Sequence, residues 1–227
     1  MPITPDQIVL WHWGFVQLNA TIVFTWIVML LLTLGSWLIT RRLNSSDEPR
    51  SRWQSGLEAG VELIRSQIRE ICPAGSDTYL PFAGTLFLFI AVANVLDIVP
   101  GWHPPTGSLS TTAALAISVG VAVPTFGVLR QGWKRYLEHY LRPSWIILPF
   151  HLMSETTRNL ALAVRLFGNI MSGSMIAGIL LAIAPLFVPV LMQALGLLIG
   201  LIQAYIFAVL AMVYISAAVQ REQEGAQ

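Results

Sequence analysis

The sequence predicts an all-α, polytopic membrane protein with about five transmembrane helices. Of its 227 residues, 55% are hydrophobic and only 11% are charged, and the mean hydropathy is +0.67. A soluble domain carries about a quarter of charged residues, so this composition excludes an ordinary soluble fold. Apolar stretches long enough to cross a bilayer recur along the whole chain, which we treat as a single membrane domain, residues 1–227.

The charge balance and the cysteine content exclude several classes of protein. Thirteen basic and twelve acidic residues give a net charge of +1, and no basic run is interleaved with aromatic residues, so nucleic acid is excluded as a main partner. The single cysteine, Cys72, cannot form an internal disulfide or a cysteine cluster for a metal. We therefore expect no cofactor and no metal site.

The N-terminal part of the chain contains the first span and a connecting segment. Residues 1–19 lack the lysine or arginine with which a cleaved secretory signal begins, so we expect a retained, exported N-terminus. Residues 20–40 form span one. Residues 41–79 contain apolar side chains at three- and four-residue steps, which predict an amphipathic helix: Trp53, Leu57, Val61, Ile64, Ile68 and Ile71. It lies on the cytoplasmic membrane face, docks on another protein, or is a solvated connector.

Spans two and three are predicted at residues 80–100 and 111–129. Polar residues, Asn94 and Asp97, lie near the end of span two. Proline and glycine follow them and end the helix. Span three contains Pro124, which a membrane helix tolerates when neighbouring helices satisfy the freed carbonyl.

Two longer helices follow, at residues 146–184 and 190–220, and we expect them to form a tilted helical hairpin. Residues 221–227 make a cytoplasmic tail. Small side chains recur at every fourth position of the last helix and predict a close approach of the two hairpin helices: Gly196, Gly200, Ala204 and Ala208.

The distribution of basic residues predicts the sidedness. Lysine and arginine occur between spans one and two, between spans three and four, and in the tail, but not before span one or in the short loops on that same side. Cytoplasmic loops collect these residues. We therefore expect the N-terminus outside and the C-terminus inside the cell (inner) membrane.

Arg165 is the strongest functional candidate, because an arginine at mid-bilayer costs about 2.5 to 3.5 kcal/mol on insertion scales. Asn169 and Arg158 are the polar neighbours on its helix, and neither neutralises it. Glu155 lies ten residues away, about 15 Å along the helix. An ion route or a charge on a partner is therefore expected. Gln203, in the last span, either accepts a hydrogen bond from a guanidinium across the hairpin or holds the two helices together.

Four other ionisable side chains have two interpretations each. Glu155 and Arg158, three residues apart, can pair near the cytoplasmic end of their helix, with His151 one turn earlier. They serve either as interfacial anchors or as part of an ion path. Asp97, at the exported end of span two, either reaches water by snorkelling or belongs to an ion path.

Four stretches carry a resemblance to a known family: Arg165-Leu-Phe-Gly-Asn169, Gln203-Ala-Tyr-Ile-Phe207, Val213-Tyr214 and Asn94-Val-Leu-Asp97. They resemble subunit a of the F-type ATP synthase membrane sector, and the similarity runs from span two to the C-terminus. The short N-terminus and the stretch that begins at Pro104, Pro-Pro-Thr-Gly-Ser-Leu-Ser-Thr-Thr, resemble an alternate bacterial branch that is sometimes proposed to be sodium-driven.

The resemblance implies an ion-translocating subunit without a catalytic site of its own. It would sit in the lipid bilayer beside a rotor ring of small hairpin subunits, each with one carboxylate, and contact a peripheral-stalk subunit. Two half-channels would couple proton or sodium flow to rotation and to ATP synthesis or hydrolysis. Arg165 would face the rotor carboxylate. The resemblance assigns the ion path to Asn94 and Asp97 on the exported side, His151 and Glu155 on the cytoplasmic side, and Asn169 and Gln203 beside the arginine.

The sequence departs from some relatives at Ser174, where they have an ionisable residue just after a glycine of the arginine helix. This departure favours a hydrated route through Ser174 over a relay of ionisable side chains. Two rival functions stay open from the residues alone. A secondary transporter would use Arg165 to bind an anionic substrate, and it predicts internal repeats and broken helices. A structural membrane anchor leaves the cost of Arg165 unexplained.

Overall fold

In the computed structural model, five long helices form the body of the protein. The structure describes residues 9–13, 16–42, 62, 65–66, 69–70, 76–99, 101–133, 148–183 and 188–224. The helices, numbered in chain order, are α1 (Ala20–Arg42), α2 (Ser76–Val95), α3 (Leu109–Gln131), α4 (Leu148–Ile183) and α5 (Val188–Glu224).

All five helices contain a stretch long and apolar enough to cross a membrane. The predicted class, an all-α polytopic membrane protein with five spans, is thereby confirmed. The second helix begins at Ser76, four residues before the expected position, and a 3-10 turn at Leu96–Ile98 continues it. Most of the expected amphipathic segment lies outside the described residues, and the described positions between α1 and α2, which are 62, 65–66 and 69–70, are helical.

A short antiparallel hairpin precedes α1 and was not expected from the sequence. Its strands are β1 (Val9–Trp13) and β2 (Val16–Asn19), with Trp13 opposite Val16. Strands of five and four residues are too short to produce a clear alternating pattern. Since β2 ends where α1 begins, the hairpin lies at the start of the first span.

The hairpin helices α4 and α5 have 36 and 37 residues. At 1.5 Å per residue each is about 55 Å long, whereas the hydrocarbon core is about 30 Å thick. Both helices must therefore tilt or extend beyond the hydrocarbon core.

The core lies between α2, α3, α4 and α5, and its most extensive helix pair is α2 with α5. Tyr79 and Ile90 of α2, Leu166 of α4, and Phe207 and Ile215 of α5 are completely buried there. Helix α1 lies at the edge of this bundle, and few of its residues are buried.

Gly200, one of the small residues of α5, does not face the helix that the sequence predicts. A β-carbon at Gly200 would lie 2.9 Å from the Cβ of Asn94, so this glycine faces α2. Gly196 has nothing within 4 Å of the same position. The prediction that Gly200 brings α5 close to α4 is therefore wrong, because the closely approaching neighbour is a side chain of α2.

The segment that joins α2 and α3, Trp102–Ser108, folds inward and is called here the α2–α3 turn. Gly101, with φ of +86°, reverses the chain before it, a backbone conformation that glycine adopts without strain. Thr106 and Ser108 are fully buried, and the 3-10 turn Pro105–Gly107 contacts α1, α2, α3 and α4. The ring of Phe24 on α1 lies 4.5 Å from that of Trp102. The turn thus joins four helices at one end of the bundle.

Candidate functional site

Arg165 lies on α4, inside the membrane-spanning stretch Met153–Leu180, and its side chain is exposed on the surface of the chain. Within the described part of the chain, it makes no hydrogen bond and no ion pair. A guanidinium on the outer surface of a membrane helix is costly in lipid. The geometry therefore requires a partner molecule or a water-filled space on this face of α4.

An amide pair lies one helical turn beyond Arg165. Asn169 Nδ2 donates to Gln203 Oε1 over 2.8 Å and joins α4 to α5. Gln203 is only 2% exposed. The structure thus brings two of the predicted residues together, but the carbonyl oxygen of Gln203 binds the amide of Asn169. Of the two roles expected for Gln203, the contact that holds the helices together is present. Among the described residues, Gln203 makes no hydrogen bond to the Arg165 guanidinium.

A cleft between α3, α4 and α5 contains Glu155, which is partly exposed. The Arg158 guanidinium lies 5.0 Å above the ring of Tyr214, a cation–π contact. The cleft is lined by Gly120, Val123, Glu155, Arg158, Asn159 and Tyr214. His151 lies within α4, and its side chain is outside the described part of the structure.

Asn94 and Asp97, expected on one half-channel, lie in different surroundings. Asn94 is 3% exposed; its Nδ2 donates to Gly200 O over 2.9 Å and its Oδ1 accepts from Thr106 Oγ1 over 2.8 Å. Asp97 is exposed and lies in the 3-10 turn after α2. Asn94 is thus buried inside the bundle, whereas Asp97 lies at its surface.

Ser174 is exposed on α4, and its hydroxyl donates to the Met171 carbonyl of the same helix over 2.9 Å. In the described ranges, no three histidine, cysteine or acidic side chains lie together.

Several residues of the site were not predicted as such from the sequence. Tyr214 and Thr106 stand in or beside the stretches that carry the family resemblance, and Gly200 stands in the stripe of small residues. Asn159 carried no signal in the sequence. Their partners lie on other helices or turns, so only the tertiary structure identifies them.

Comparison with known proteins gives a consistent result over nearly the whole chain. The family model described as the ATP synthase A chain matches residues 22–216. ATP synthase subunit a 2 of Acaryochloris marina is 57% identical over 227 residues, which cover 100% of this chain and 97% of the relative. ATP synthase subunit a 1 of Chlorobaculum parvum is 58% identical over 225 residues, or 99% of each chain. ATP synthase subunit a of Nitrosospira multiformis is 56% identical, covering 100% of this chain and 90% of its own. The chain therefore belongs to the ATP synthase A chain family.

Proposed function

We propose that this chain is the stator half of a rotary ion motor, subunit a of the F-type ATP synthase membrane sector. Arg165 carries the proposal, because it is exposed on the outer surface of a membrane-spanning helix. A partner with a negative charge in the membrane offsets the cost of that position. The rotor ring, with one carboxylate in each hairpin subunit, supplies such charges. ATP is made or hydrolysed elsewhere in the complex.

The fixed charge of Arg165 makes each rotor carboxylate release its ion before it passes. An emptied carboxylate is negative and is attracted to the guanidinium, whereas a loaded one is neutral and is not. The same positive charge opposes a direct leak of cations. The membrane potential contributes about 2.3 kcal/mol per charge per 100 mV and biases the direction of rotation.

Two ion routes approach Arg165 from opposite ends of the bundle. Gly107 of the α2–α3 turn lies close to Ile170 of α4, five residues after Arg165. The end of the bundle that contains this turn and Asp97 is therefore the end toward which α4 runs after Arg165. We assign Asp97 to the exported route. The cleft at Glu155 lies ten residues before Arg165, about 15 Å away along α4, and we assign it to the cytoplasmic route.

The remaining predicted residues have supporting roles in the proposal. His151, one turn before Glu155, belongs to the cytoplasmic route, and Ser174 faces a hydrated path beyond the arginine. Asn169 and Gln203 hold the helix pair beside Arg165.

The proposed setting is the cell (inner) membrane, with the N-terminus outside and the C-terminus in the cytoplasm. The lysine and arginine residues of the connecting segments support this orientation. The rotor ring faces Arg165, and a peripheral-stalk subunit holds the chain against rotation. The family membership supports this assembly over a secondary transporter or a passive anchor.

The test is ATP-driven ion uptake into inverted membrane vesicles that contain the whole complex. Arg165→Ala should abolish uptake while the complex still assembles, as measured by co-purification of its subunits. Arg130→Ala, which truncates an arginine at the end of α3, is the matched control and should retain uptake. Normal uptake by an assembled Arg165→Ala complex would refute the proposed mechanism.

The coupling ion is tested in the same vesicles with radiolabelled sodium and a protonophore. Sodium uptake that persists with the protonophore identifies sodium as the primary ion, carried along the hydrated path at Ser174. Acidification that the protonophore abolishes, without sodium uptake, identifies protons and places their transfer on Asp97 and Glu155.

A further inference from the structure

The side chain of Asn94 connects three elements inside the bundle, α2, α5 and the α2–α3 turn, and this set of contacts is called here the junction. It lies on α2, is 3% exposed, and uses both ends of its amide. Nδ2 donates to the carbonyl oxygen of Gly200 on α5, and Oδ1 accepts from the hydroxyl of Thr106 in the α2–α3 turn. Thr106 is itself completely buried. Since a buried amide without partners is costly, these two hydrogen bonds determine where Asn94 and its neighbours lie.

The junction requires glycine at position 200. A β-carbon there would lie 2.9 Å from Asn94 Cβ and 3.1 Å from Asn94 Nδ2. Real β-carbons essentially never approach another atom so closely, and here the nearest atom belongs to the rigid start of a side chain. Gly196, one turn earlier on α5, has nothing within 4 Å of the corresponding point. A larger residue at position 200 therefore requires the neighbouring atoms to shift, whereas position 196 has free space for a β-carbon.

The junction is one helical turn from the amide pair beside Arg165. Gly200 precedes Gln203 by three residues, so both lie on similar faces of α5. Gln203 in turn accepts from Asn169 on α4. A shift of α5 by one residue would move Gln203 by 1.5 Å along the helix and 100° around it, which breaks that hydrogen bond. A contact that fixes the backbone of α5 at Gly200 therefore also fixes the position of Gln203.

We propose that Asn94 is a positioning residue that sets the axial and rotational position of α5 at Gly200, and thereby holds Gln203 against Asn169 behind Arg165. Asn94 acts through the helix and does not line an ion route. This inference rests on the proposed function, and it replaces the role in the exported half-channel that the resemblance implies for Asn94. Thr106 contributes by fixing the orientation of the Asn94 amide.

The first experiment compares Gly200→Ala with the matched control Gly196→Ala in the reconstituted complex. ATP-driven uptake is measured at stepped sodium concentrations and at stepped pH, which separates the maximal rate from the apparent ion KM. Gly200→Ala should lower the maximal rate about tenfold or more with an unchanged ion KM, because overpacking shifts α5. Gly196→Ala should stay within about twofold of wild type in both. Equal rates for the two variants would overturn the inference.

Thr106→Val tests the junction without overpacking, so the inference stays testable if Gly200→Ala fails to assemble. Valine has the shape of threonine but cannot donate to Asn94 Oδ1. It should lower the maximal rate without changing the ion KM, and Thr106→Ser should restore the rate. A Thr106→Val variant that transports like wild type, or that raises the ion KM, contradicts a positioning role.

A double-mutant cycle distinguishes the two possible roles of Asn94. If Asn94 acts through Gln203, the variant Asn94→Ala with Gln203→Ala should be no slower than the slower single variant. If Asn94 lines the ion route, the losses should multiply and the ion KM should rise, which overturns the inference. Arg165→Ala in the same preparation is the reference: its failure to abolish uptake refutes the proposed function, whatever the cycle shows.

Discussion

The hydrogen bond between Asn169 and Gln203 joins the two hairpin helices, α4 and α5, one helical turn from Arg165. Both residues were predicted from the sequence as site residues. Replacing Gln203 with leucine keeps most of the side-chain volume but removes the oxygen that accepts from Asn169. Because Gln203 is 2% exposed, water from bulk solvent cannot readily replace the lost partner. The variant should therefore loosen α4 against α5 while the fold is retained.

The expected size of the effect follows from this single bond of 2.8 Å. Side-chain hydrogen bonds between membrane helices contribute about 0.6 kcal/mol on average and about 1.7 kcal/mol at most. At about 1.4 kcal/mol per factor of ten, the Gln203→Leu variant should lose about threefold to sixteenfold in ATP-driven transport. Asn169→Leu should lose a similar amount, because it removes the other half of the same bond.

The assay is the initial rate of ATP-driven ion uptake, corrected for the amount of assembled complex. Thr85→Val on α2 is the matched control, since the Thr85 hydroxyl bonds only to carbonyls of its own helix among the described contacts. It should transport at the wild-type rate. The double variant, with leucine at 169 and 203, should be no slower than the slower single variant. Losses that multiply in the double variant would refute the role of this bond.

Two further predictions concern the cleft at Glu155. Gly120→Ala brings a β-carbon against the side-chain amide of Asn159, which can turn aside, so it should change the thermal stability of the complex by less than about 1 kcal/mol, as should Gly84→Ala, which has free space. A much lower dissociation temperature for Gly120→Ala than for Gly84→Ala would contradict this packing. Tyr214→Leu should destabilise the complex by about 0.5 to 2 kcal/mol through loss of the cation–π contact with Arg158, and Tyr214→Phe should retain most of it. If Tyr214→Leu and Tyr214→Phe lower the dissociation temperature equally, the aromatic ring is not what stabilises the contact with Arg158.

The amino-acid sequence alone determined the membrane class, the number of spans and the family resemblance. Spanning helices depend on local apolarity over about 20 residues, a property that needs no tertiary contact to be recognised. The same holds for Arg165 with Asn169, which are four residues apart and so share one face of a helix wherever it packs.

Only the tertiary structure decided which side chains meet across elements. Asn94 and Asp97 are three residues apart, yet one is buried in a hydrogen-bonded junction and the other is exposed after the helix ends. The stripe of small residues on α5 predicted a close helix pair, but its partner at Gly200 is α2. In a bilayer, small residues permit close approach to any neighbouring helix, because apolar surfaces there have little preference for one another over lipid. The choice of partner depends on specific polar contacts between residues far apart in sequence, such as that of Asn94 with Gly200, and no local pattern reveals them.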